Sequence, residues 1–299
     1  MTASEEVLVT RQCEVLGLES ALPLAKLTEG RSGSLVVRLQ LDDEEVVLKV
    51  TTDPARLTRA RREAVLIANA SHGLESVVPD FVAGTSNDTS VSLVTRQHHP
   101  LPPPTGLDHA EWRDLARGLG AMHGAAEAML LDDLPTSSAP DEQAIAEAAR
   151  AWRDLGEEEL AGQGLSRLRD DLGRALCVPV RTTLEHGDCH TENIVRDDHG
   201  RFRWIDWQEA HLGTGLGDLI FLWQRAEFAG ATPPRPAMTH AYAEARALDA
   251  RYLQPALDMI ELRMLFVLWP PFLPYGHPDN QRMMSSRLRY LLSTRRIGG

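Results

Sequence analysis

Polar side chains concentrate in one short stretch of the sequence, His186-Gly187-Asp188-Cys189-His190-Thr191-Glu192-Asn193. Two kinds of chemistry could use it. As a metal box, the two imidazoles and the carboxylate of His186, Asp188 and His190 would bind zinc or iron. As a catalytic loop, Asp188 would receive or orient the proton of an acceptor hydroxyl, while an Asn and an Asp further along hold magnesium. In a third interpretation, these polar groups only satisfy the loop backbone.

A β-hairpin is predicted directly after this stretch. Its two strands and the turn that joins them are predicted at residues 193–196, 202–205 and 197–200. The turn is Asp-Asp-His-Gly, a composition typical of tight connections between antiparallel strands. The hairpin is an element that could position the polar side chains at its open end.

The pairing expected in this hairpin places Arg196 near Arg201 and Asn193 near Trp204. Asp206 then lies just beyond, at the same end of the hairpin as Asn193. An amide oxygen and a carboxylate side by side suit Mg²⁺, which proteins usually hold through one or two groups plus phosphate oxygens and water. The catalytic-loop interpretation uses all of these residues, whereas the metal box leaves the hairpin unused, so the catalytic loop is favoured.

The motif His186-Gly187-Asp188-x-His190-x-x-Asn193, followed by Ile205-Asp206-Trp207, resembles the signature pair of the aminoglycoside phosphotransferase family. That family is a branch of the protein-kinase-like fold that also includes choline and homoserine kinases. The resemblance implies an α+β, two-lobed protein-kinase-like fold with a β-rich N-lobe and a mainly helical C-lobe. It also implies the roles of the motif residues: Asp188 as catalytic base, Asn193 and Asp206 as magnesium ligands, and His186, His190 and Asp218 as structural support of the loop.

An apolar strand further upstream carries a single lysine. Lys49 lies in Val46-Val47-Leu48-Lys49-Val50, and Glu63 lies on the helix predicted after it. A kinase needs a strand lysine to engage the α- and β-phosphates and a helix glutamate to orient that lysine. The resemblance therefore implies that Lys49 and Glu63 bind the nucleotide. The arginines of this helix are predicted to form mostly its solvated face: Arg56, Arg59, Arg61 and Arg62.

Two further segments fall where the family binds its nucleotide. Glycines allow backbone N–H groups to approach phosphates closely, and serine hydroxyls could add donors, so a Gly- and Ser-rich turn before the second strand is predicted to cover the nucleotide. The second segment falls at the interlobe hinge, whose side chains do not indicate whether the nucleotide is ATP or GTP. The candidate nucleotide-binding residues in these segments are Gly30, Ser32, Gly33 and Ser34 in the turn, and Thr95 and Gln97 at the hinge.

The elements that carry these residues follow from the pattern of apolar side chains. Residues 35–41 and 45–50 predict a β-hairpin, and a helix is predicted from Asp53 to about Ala70. A proline-rich stretch from His98 cannot continue a helix or a central strand. We therefore predict a nucleotide-binding lobe at 1–97 and a catalytic and substrate-binding lobe at 98–299. Helices are predicted from Asp108, at 141–155, and over most of the chain after Pro236.

Composition narrows the classes of protein that the chain could be. With 31 Lys and Arg against 43 Asp and Glu, the formal net charge is −12, which argues against a nucleic-acid partner. Three cysteines without a CxxC pair indicate neither a disulfide framework nor a zinc finger. No signal peptide or membrane span is predicted, because the start is polar and the most apolar run ends at Pro270. We expect a cytoplasmic monomer or homodimer.

The acceptor of the phosphate is the least determined part of the prediction. The family name and the acidic balance favour a cationic antibiotic, either an aminoglycoside or a cyclic peptide of the viomycin and capreomycin kind. A metabolic kinase acting on choline, a sugar or an amino-acid alcohol would use the same machinery, and a catalytically inactive nucleotide-binding regulator is the alternative from another class. The predicted cofactors are ATP, with GTP as the alternative, and Mg²⁺. The candidate acceptor ligands, for which a solvated surface is the competing explanation, are Glu157, Glu158, Glu209 and Asp279.

Overall fold

The computed structural model describes residues 1–27, 33–70, 74–126, 134–137, 139–170 and 180–293, which fall into two compact units. The first unit holds the described parts of Met1–Pro103 and His186–His211. The second holds those of Pro104–Glu127, Pro135–Glu185 and Leu212–Gly299. The segment with the catalytic-loop motif therefore belongs to the same unit as the N-terminal strands. The assignment of one function to 1–97 and another to 98–299 stays a prediction.

Helices and strands are both well represented among the described residues, which confirms the predicted α+β class. The α-helices are α1 (Ala3–Val15), α2 (Leu57–Ala68), α3 (His109–Ala126), α4 (Glu142–Asp154), α5 (Glu158–Asp170), α6 (Leu216–Phe228), α7 (Arg235–Ala245), α8 (Ala250–Val267) and α9 (Pro278–Ser293). The β-strands are β1 (Leu22–Leu27), β2 (Leu35–Leu41), β3 (Glu44–Thr51), β4 (Phe81–Ser86), β5 (Val91–Arg96), β6 (His99–Pro100), β7 (Thr183–Glu185), β8 (Ile194–Arg196), β9 (Phe202–Trp204) and β10 (His211–Gly213).

The first unit is built on an antiparallel five-stranded sheet with the order β1-β2-β3-β5-β4. Leu48 and Val50 of β3 are buried in the core of this unit, together with Val9 of α1. Because successive side chains of a strand point to opposite faces, Lys49 points away from that core. The predicted hairpin of β2 and β3 and the predicted helix α2 are confirmed, although α2 begins at Leu57.

Helix α1 is not predicted by the pattern of apolar side chains. Its apolar residues do not form a full stripe, and Gln12 is buried beside Val9 and Cys13. A capping box nevertheless starts the helix. The Thr2 hydroxyl accepts from the Glu5 N–H at 3.3 Å, and the Glu5 carboxylate accepts from the Thr2 N–H at 2.7 Å. This cap was visible in the sequence, whereas the apolar pattern was not.

The second unit is mainly helical. Helix α3 begins with a capping box of Asp108 and Glu111, and the side chain of Asp141 caps α4 by accepting from the Ala144 N–H at 2.7 Å. Helices α4, α5, α8 and α9 share one buried core, in which the Trp152 indole donates to a main-chain carbonyl of α8 at 2.9 Å. No helix in the described part of the chain is long and apolar enough to cross a membrane.

Candidate active site

The hairpin of β8 and β9 carries the candidate metal ligands at its open end. Its pairing is one residue out of step with the prediction, since Arg196 lies opposite Phe202 and Ile194 opposite Trp204. The reason is the turn: the Asp197 N–H donates to the Arg201 carbonyl, so Asp197 extends the ladder and the loop is shorter than expected. The predicted proximity at the open end holds, because the Ile205 N–H donates to the Asn193 carbonyl at 2.9 Å and Asp206 follows.

The turn of this hairpin is anchored by a buried carboxylate. Asp197 accepts from the main chain of His199 and Arg201 and from the side chains of Arg201 and Arg203. Burial acts to raise the pKa of Asp197, but the hydrogen bonds outweigh it and lower the pKa to about 2. Arg203 in turn donates to the main-chain carbonyls of Glu75 and Val78, at 2.6 and 2.9 Å. The hairpin is thereby attached to the segment before β4.

We expect this carboxylate to make stability pH-dependent in strongly acidic solution. Because the folded pKa of Asp197 lies below its ordinary value of 3.8, its contribution is complete above that value and is lost as pH falls towards 2. The loss should be roughly 2 kcal/mol of the free energy of unfolding. Urea titrations between pH 5 and 2 give the free energy of unfolding of the wild-type chain and of Asp197→Asn. The difference between the two proteins should shrink by this amount as the pH falls. A constant difference across this range would contradict the role of Asp197.

Asp206 stands in a strained backbone conformation at the end of the hairpin. Its φ is +64° and its ψ is +60°, the left-handed region, which Asp tolerates better than most residues. Its Oδ1 is 2.6 Å from the Lys49 ammonium. The Trp207 N–H that follows donates to Glu63 Oε1 at 3.1 Å. Asp206 therefore begins a short turn that meets both β3 and α2.

Lys49, Glu63 and Asp206 form one charge cluster, in which Glu63 is buried and Lys49 and Asp206 are partly exposed. The Lys49 ammonium is 2.8 Å from Glu63 Oε2 and 3.1 Å from Oε1, as the family resemblance implied. Burial acts to lower the pKa of Lys49, but the two carboxylates outweigh it and the pKa is raised. Burial raises the pKa of Glu63, and the Asp206 carboxylate adds to this effect against the attraction of Lys49. One cation thus serves two carboxylates, and the cluster can accept further positive charge.

The catalytic-loop motif is tied to the same end of the hairpin. The buried His186 contacts the Ile205 carbonyl through Nε2 at 2.8 Å, which places the proton on Nε2 and leaves Nδ1 to accept from the Asp188 N–H at 3.3 Å. The Asn193 amide donates to the carbonyl of Asp188 at 2.9 Å and to its Oδ2 at 3.2 Å. His190 Nε2 lies 3.6 Å from the same Oδ2. The Asp188 carboxylate is held from two sides and stays 39% exposed.

Gly187 allows this loop to approach the turn after Asp206. Its φ is +81°, and a Cβ at this position would lie 2.2 Å from the Glu209 carbonyl oxygen. A side chain is therefore excluded by both the backbone conformation and the contact.

Asn193 and Asp206 offer oxygen donors of the kind that magnesium binds. Asn193 uses its NH₂ group on Asp188, so its amide oxygen is the atom that could hold a cation, and Asp206 supplies a carboxylate that is 33% exposed. Hard oxygen donors from one or two residues suit Mg²⁺. Within the described residues no group of three or more His, Cys, Asp or Glu side chains could hold a metal ion. The zinc or iron box built on His186 and His190 therefore lacks support.

The structure describes only some of the residues predicted to cover the nucleotide and those predicted at the hinge. Gly30 and Ser32 lie outside the described residues. Gly33 has a φ of +63°, and the Ser34 hydroxyl is 2.7 Å from Thr51 Oγ1, a contact inside the sheet. At the hinge, Thr95 lies opposite Val47 of β3, and the Gln97 N–H donates to the main chain of the same strand. Their roles towards a nucleotide stay predictions.

The candidate acceptor ligands each pair with an arginine of their own unit: Glu157 with Arg289, Glu158 with Arg153, Asp279 with Arg282, and Glu209 with Arg59. Asp218 is buried at the start of α6, where its Oδ2 is 3.2 Å from His123 Nε2. Its predicted support of the catalytic loop stays a prediction. Glu209 belongs to the first unit, and the other three acids belong to the second.

Two arginines of α2 were assigned to the solvated face but contact the turn after Asp206. The Arg59 guanidinium pairs with the Glu209 carboxylate, and Arg62 donates to the Ala210 carbonyl at 3.3 Å. Arg59 lies one helical turn before Glu63, so the two share a face. That shared face was visible in the sequence, whereas the partner of Arg59 was not.

Solved structures of small-molecule kinases resemble the whole chain. The aminoglycoside phosphotransferase APH(4)-Ia, as a thermostable mutant in a ternary complex with ADP and hygromycin B, has a TM-score of 0.64 and 18% identity over 97% of this chain and 99% of its own. The amicoumacin kinase hAmiN with AMP-PNP, Ca²⁺ and Ami has a TM-score of 0.64 and 14% identity, covering 96% and 93%. Choline kinase LicA from Streptococcus pneumoniae has a TM-score of 0.63 and 12% identity, covering 98% and 99%. The predicted kinase-like fold is confirmed.

The family follows from the sequence match. Residues 24–254 match the model of the APH phosphotransferase enzyme family, and this range spans more than half of the chain. The chain therefore belongs to that family and is a kinase-like phosphotransferase, which confirms the predicted resemblance and the predicted enzyme class. No curated protein matches the chain by sequence.

Proposed function

We propose that the chain transfers the γ-phosphate of ATP to a hydroxyl group of a small cationic antibiotic, an aminoglycoside or a cyclic peptide of the viomycin and capreomycin kind, and thereby gives resistance. The observation that carries the transfer reaction is the presence of Lys49, Glu63, Asp206, Asn193 and Asp188 in one compact unit, with the contacts described above. The use of ATP is supported by similar structures that contain ADP or AMP-PNP. A cytoplasmic location is part of the same proposal.

In this mechanism, Lys49 donates to oxygens of the α- and β-phosphates while Glu63 holds its ammonium group in place. Lys49 also lies 2.6 Å from Asp206, so in this mechanism part of its hydrogen bonding passes from Asp206 to phosphate when the nucleotide binds. Asn193 and Asp206 would hold Mg²⁺, which supplies neutralisation of charge on the β- and γ-phosphates when bound. These residues orient the phosphate for in-line attack, so positioning and electrostatics provide most of the rate.

Asp188 orients the attacking hydroxyl and accepts its proton in this mechanism. Its carboxylate is partly exposed, so an acceptor can reach it, and the Asn193 amide holds one of its oxygens at 3.2 Å. General-base assistance of this kind contributes about 10² to 10⁴ in rate.

Two observations support a cationic acceptor. The chain carries a formal net charge of −12, and the similar kinases include one bound to hygromycin B. Choline kinase LicA favours a metabolic cationic alcohol as the second candidate. Glu157, Glu158, Asp279 and Glu209 remain candidate acceptor ligands, and a cationic substrate would have to compete there with the paired arginines. The binding of ATP without transfer would mark the third possibility, an inactive regulator.

The test is a phosphorylation screen read by mass spectrometry. Purified wild-type chain, ATP and Mg²⁺ are incubated with aminoglycosides, cyclic peptide antibiotics, macrolides, choline, sugars and amino-acid alcohols, and matched reactions omit ATP. We expect one phosphoryl group to be added to one class of cationic antibiotic. Transfer to choline alone would establish the second candidate. ATP binding without transfer to any compound would overturn the proposed activity.

A further inference from the structure

Three side chains on one face of α2 contact the turn after Asp206. Arg59, Arg62 and Glu63 are spaced i, i+3 and i+4, so they project from the same side of the helix. The Glu63 carboxylate accepts from the Trp207 N–H, Arg59 pairs with the Glu209 carboxylate, and Arg62 donates to the Ala210 carbonyl. The mechanism above uses Glu63 alone, so the two arginine contacts are left without a role.

Glu209 also contacts the catalytic loop through its main chain. Its carbonyl oxygen occupies the space that a Cβ on Gly187 would need, and Gly187 directly precedes Asp188. One residue is therefore attached to α2 by its side chain and packs against the catalytic loop by its backbone. Movement of Glu209 would affect the helix that carries Glu63 and the loop that carries Asp188.

Stability does not account for the Arg59–Glu209 pair. The side chains are 53% and 45% exposed, and exposed ion pairs add little to the free energy of unfolding. The position of α2 matters more for the chemistry, because Glu63 must stay within hydrogen-bonding distance of Lys49. Small misplacements of catalytic groups cost far more in rate than in stability.

We propose that the Arg59–Glu209 ion pair is a positioning contact that holds α2 against the turn after Asp206, so that Glu63, Asp206 and Asp188 share one working geometry. Arg62 supports the contact through the Ala210 carbonyl. In this proposal Glu209 acts through α2 and the catalytic loop, and this role replaces its candidacy as an acceptor ligand. The catalytic consequence rests on the proposed phosphotransfer function, whereas the attachment of α2 does not.

The experiment compares charge reversals with their double swap. Arg59→Glu and Glu209→Arg each place like charges together, and the double variant restores an opposite pair in reverse order. Arg61→Glu is the matched control, because it makes the same charge reversal on the same helix. Arg61 contacts Ser86 and Asn87 and not the turn after Asp206. The activity readouts are kcat and the KM values for ATP and acceptor. The readout that does not depend on activity is hydrogen exchange of the Trp207 N–H, which donates a hydrogen bond to the Glu63 carboxylate.

We expect each single reversal to lower kcat by about tenfold or more, with a small change in melting temperature. Hydrogen exchange of the Trp207 N–H should be faster in both single variants. The double variant should recover most of the kcat and most of the protection of this N–H from exchange. Arg61→Glu should behave as wild type. If a single reversal fails to fold, the neutral variants Arg59→Gln and Glu209→Gln carry the same comparison.

Three results would overturn the proposal: single variants with wild-type kcat and exchange, a double variant no better than the worse single variant, or a rise in acceptor KM confined to Glu209→Arg. The last result would make Glu209 an acceptor ligand. If the wild-type chain phosphorylates nothing, the proposed function fails, and the exchange of Trp207 still decides whether the ion pair holds α2.

Discussion

We expect Asp188→Asn to lower kcat for phosphoryl transfer by about 10² to 10⁴ while leaving the affinity for nucleotide nearly unchanged. The amide is the same size as the carboxylate but cannot accept the substrate proton. Asp188 is partly exposed, and its main-chain carbonyl keeps the hydrogen bond from the Asn193 amide at 2.9 Å. The substitution should therefore remove chemistry without unfolding the loop.

Steady-state kinetics with the acceptor found in the screen, together with nucleotide binding by calorimetry, would measure this effect. Glu192→Gln is a suitable control, because it removes a charge from the same loop at a side chain that is 78% exposed. It should retain nearly full activity. Wild-type turnover by Asp188→Asn would exclude Asp188 as the base, and equal losses in both variants would indicate a general charge effect of the loop.

The second large effect is expected at Lys49. Replacing it by Met leaves Glu63 buried beside Asp206 without a cation, and breaking a buried ion pair by removing one partner typically costs about 3 to 5 kcal/mol. Activity should fall by at least about 10², since the phosphates lose their charged donor. We therefore expect Lys49→Met to be both inactive and destabilised at neutral pH.

The pH dependence of this variant has a definite sign. Burial and Asp206 raise the pKa of Glu63, and without Lys49 the main effect that opposes this rise is lost, although the hydrogen bond from the Trp207 N–H still lowers the pKa. A carboxyl whose folded pKa lies above its unfolded pKa favours folding in its protonated form, so this contribution is lost as pH rises through the folded pKa. Lys49→Met should therefore regain part of its stability towards pH 5, relative to wild type.

A double variant separates the loss of stability from the loss of activity. Lys49→Met with Glu63→Gln removes both charges of the pair and should recover much of the free energy of unfolding, because no uncompensated charge stays buried beside Asp206. It should not recover activity. Urea titrations at pH 5 and pH 8, together with phosphoryl-transfer assays, test both statements. A double variant less stable than Lys49→Met, or an active Lys49→Met, would contradict the assigned role of the cluster.

Much of the site could be predicted from residue types and order along the chain. Lys49 in an apolar strand, Glu63 on the next helix, and Asp188, Asn193 and Asp206 around a hairpin form a combination that few functions share. The match to the phosphotransferase family and the contact between Lys49 and Glu63 agree with that prediction. These features are local, because each depends on alternation within a strand or on the spacing of a short motif.

The hairpin register and the first helix show where local patterns were insufficient. Turn composition predicted a hairpin at 197–200, but Asp197 joined the ladder through the Arg201 carbonyl and shifted the pairing by one residue. That choice depends on Arg203 and its contacts with the segment before β4, which are distant in sequence. Helix α1 was missed because its burial is determined by the sheet it covers and not by a stripe of its own.

The sequence by itself thus determined which residues are the candidates for chemistry: a strand lysine, a helix glutamate, and the Asp188, Asn193 and Asp206 side chains around a hairpin. Only the tertiary structure decided how they are held. It placed Lys49 between two carboxylates, gave Asp206 a left-handed backbone, and brought Arg59 to Glu209 across 150 residues. Such contacts depend on the packing of a helix on a distant turn, and no local period or propensity encodes that distance.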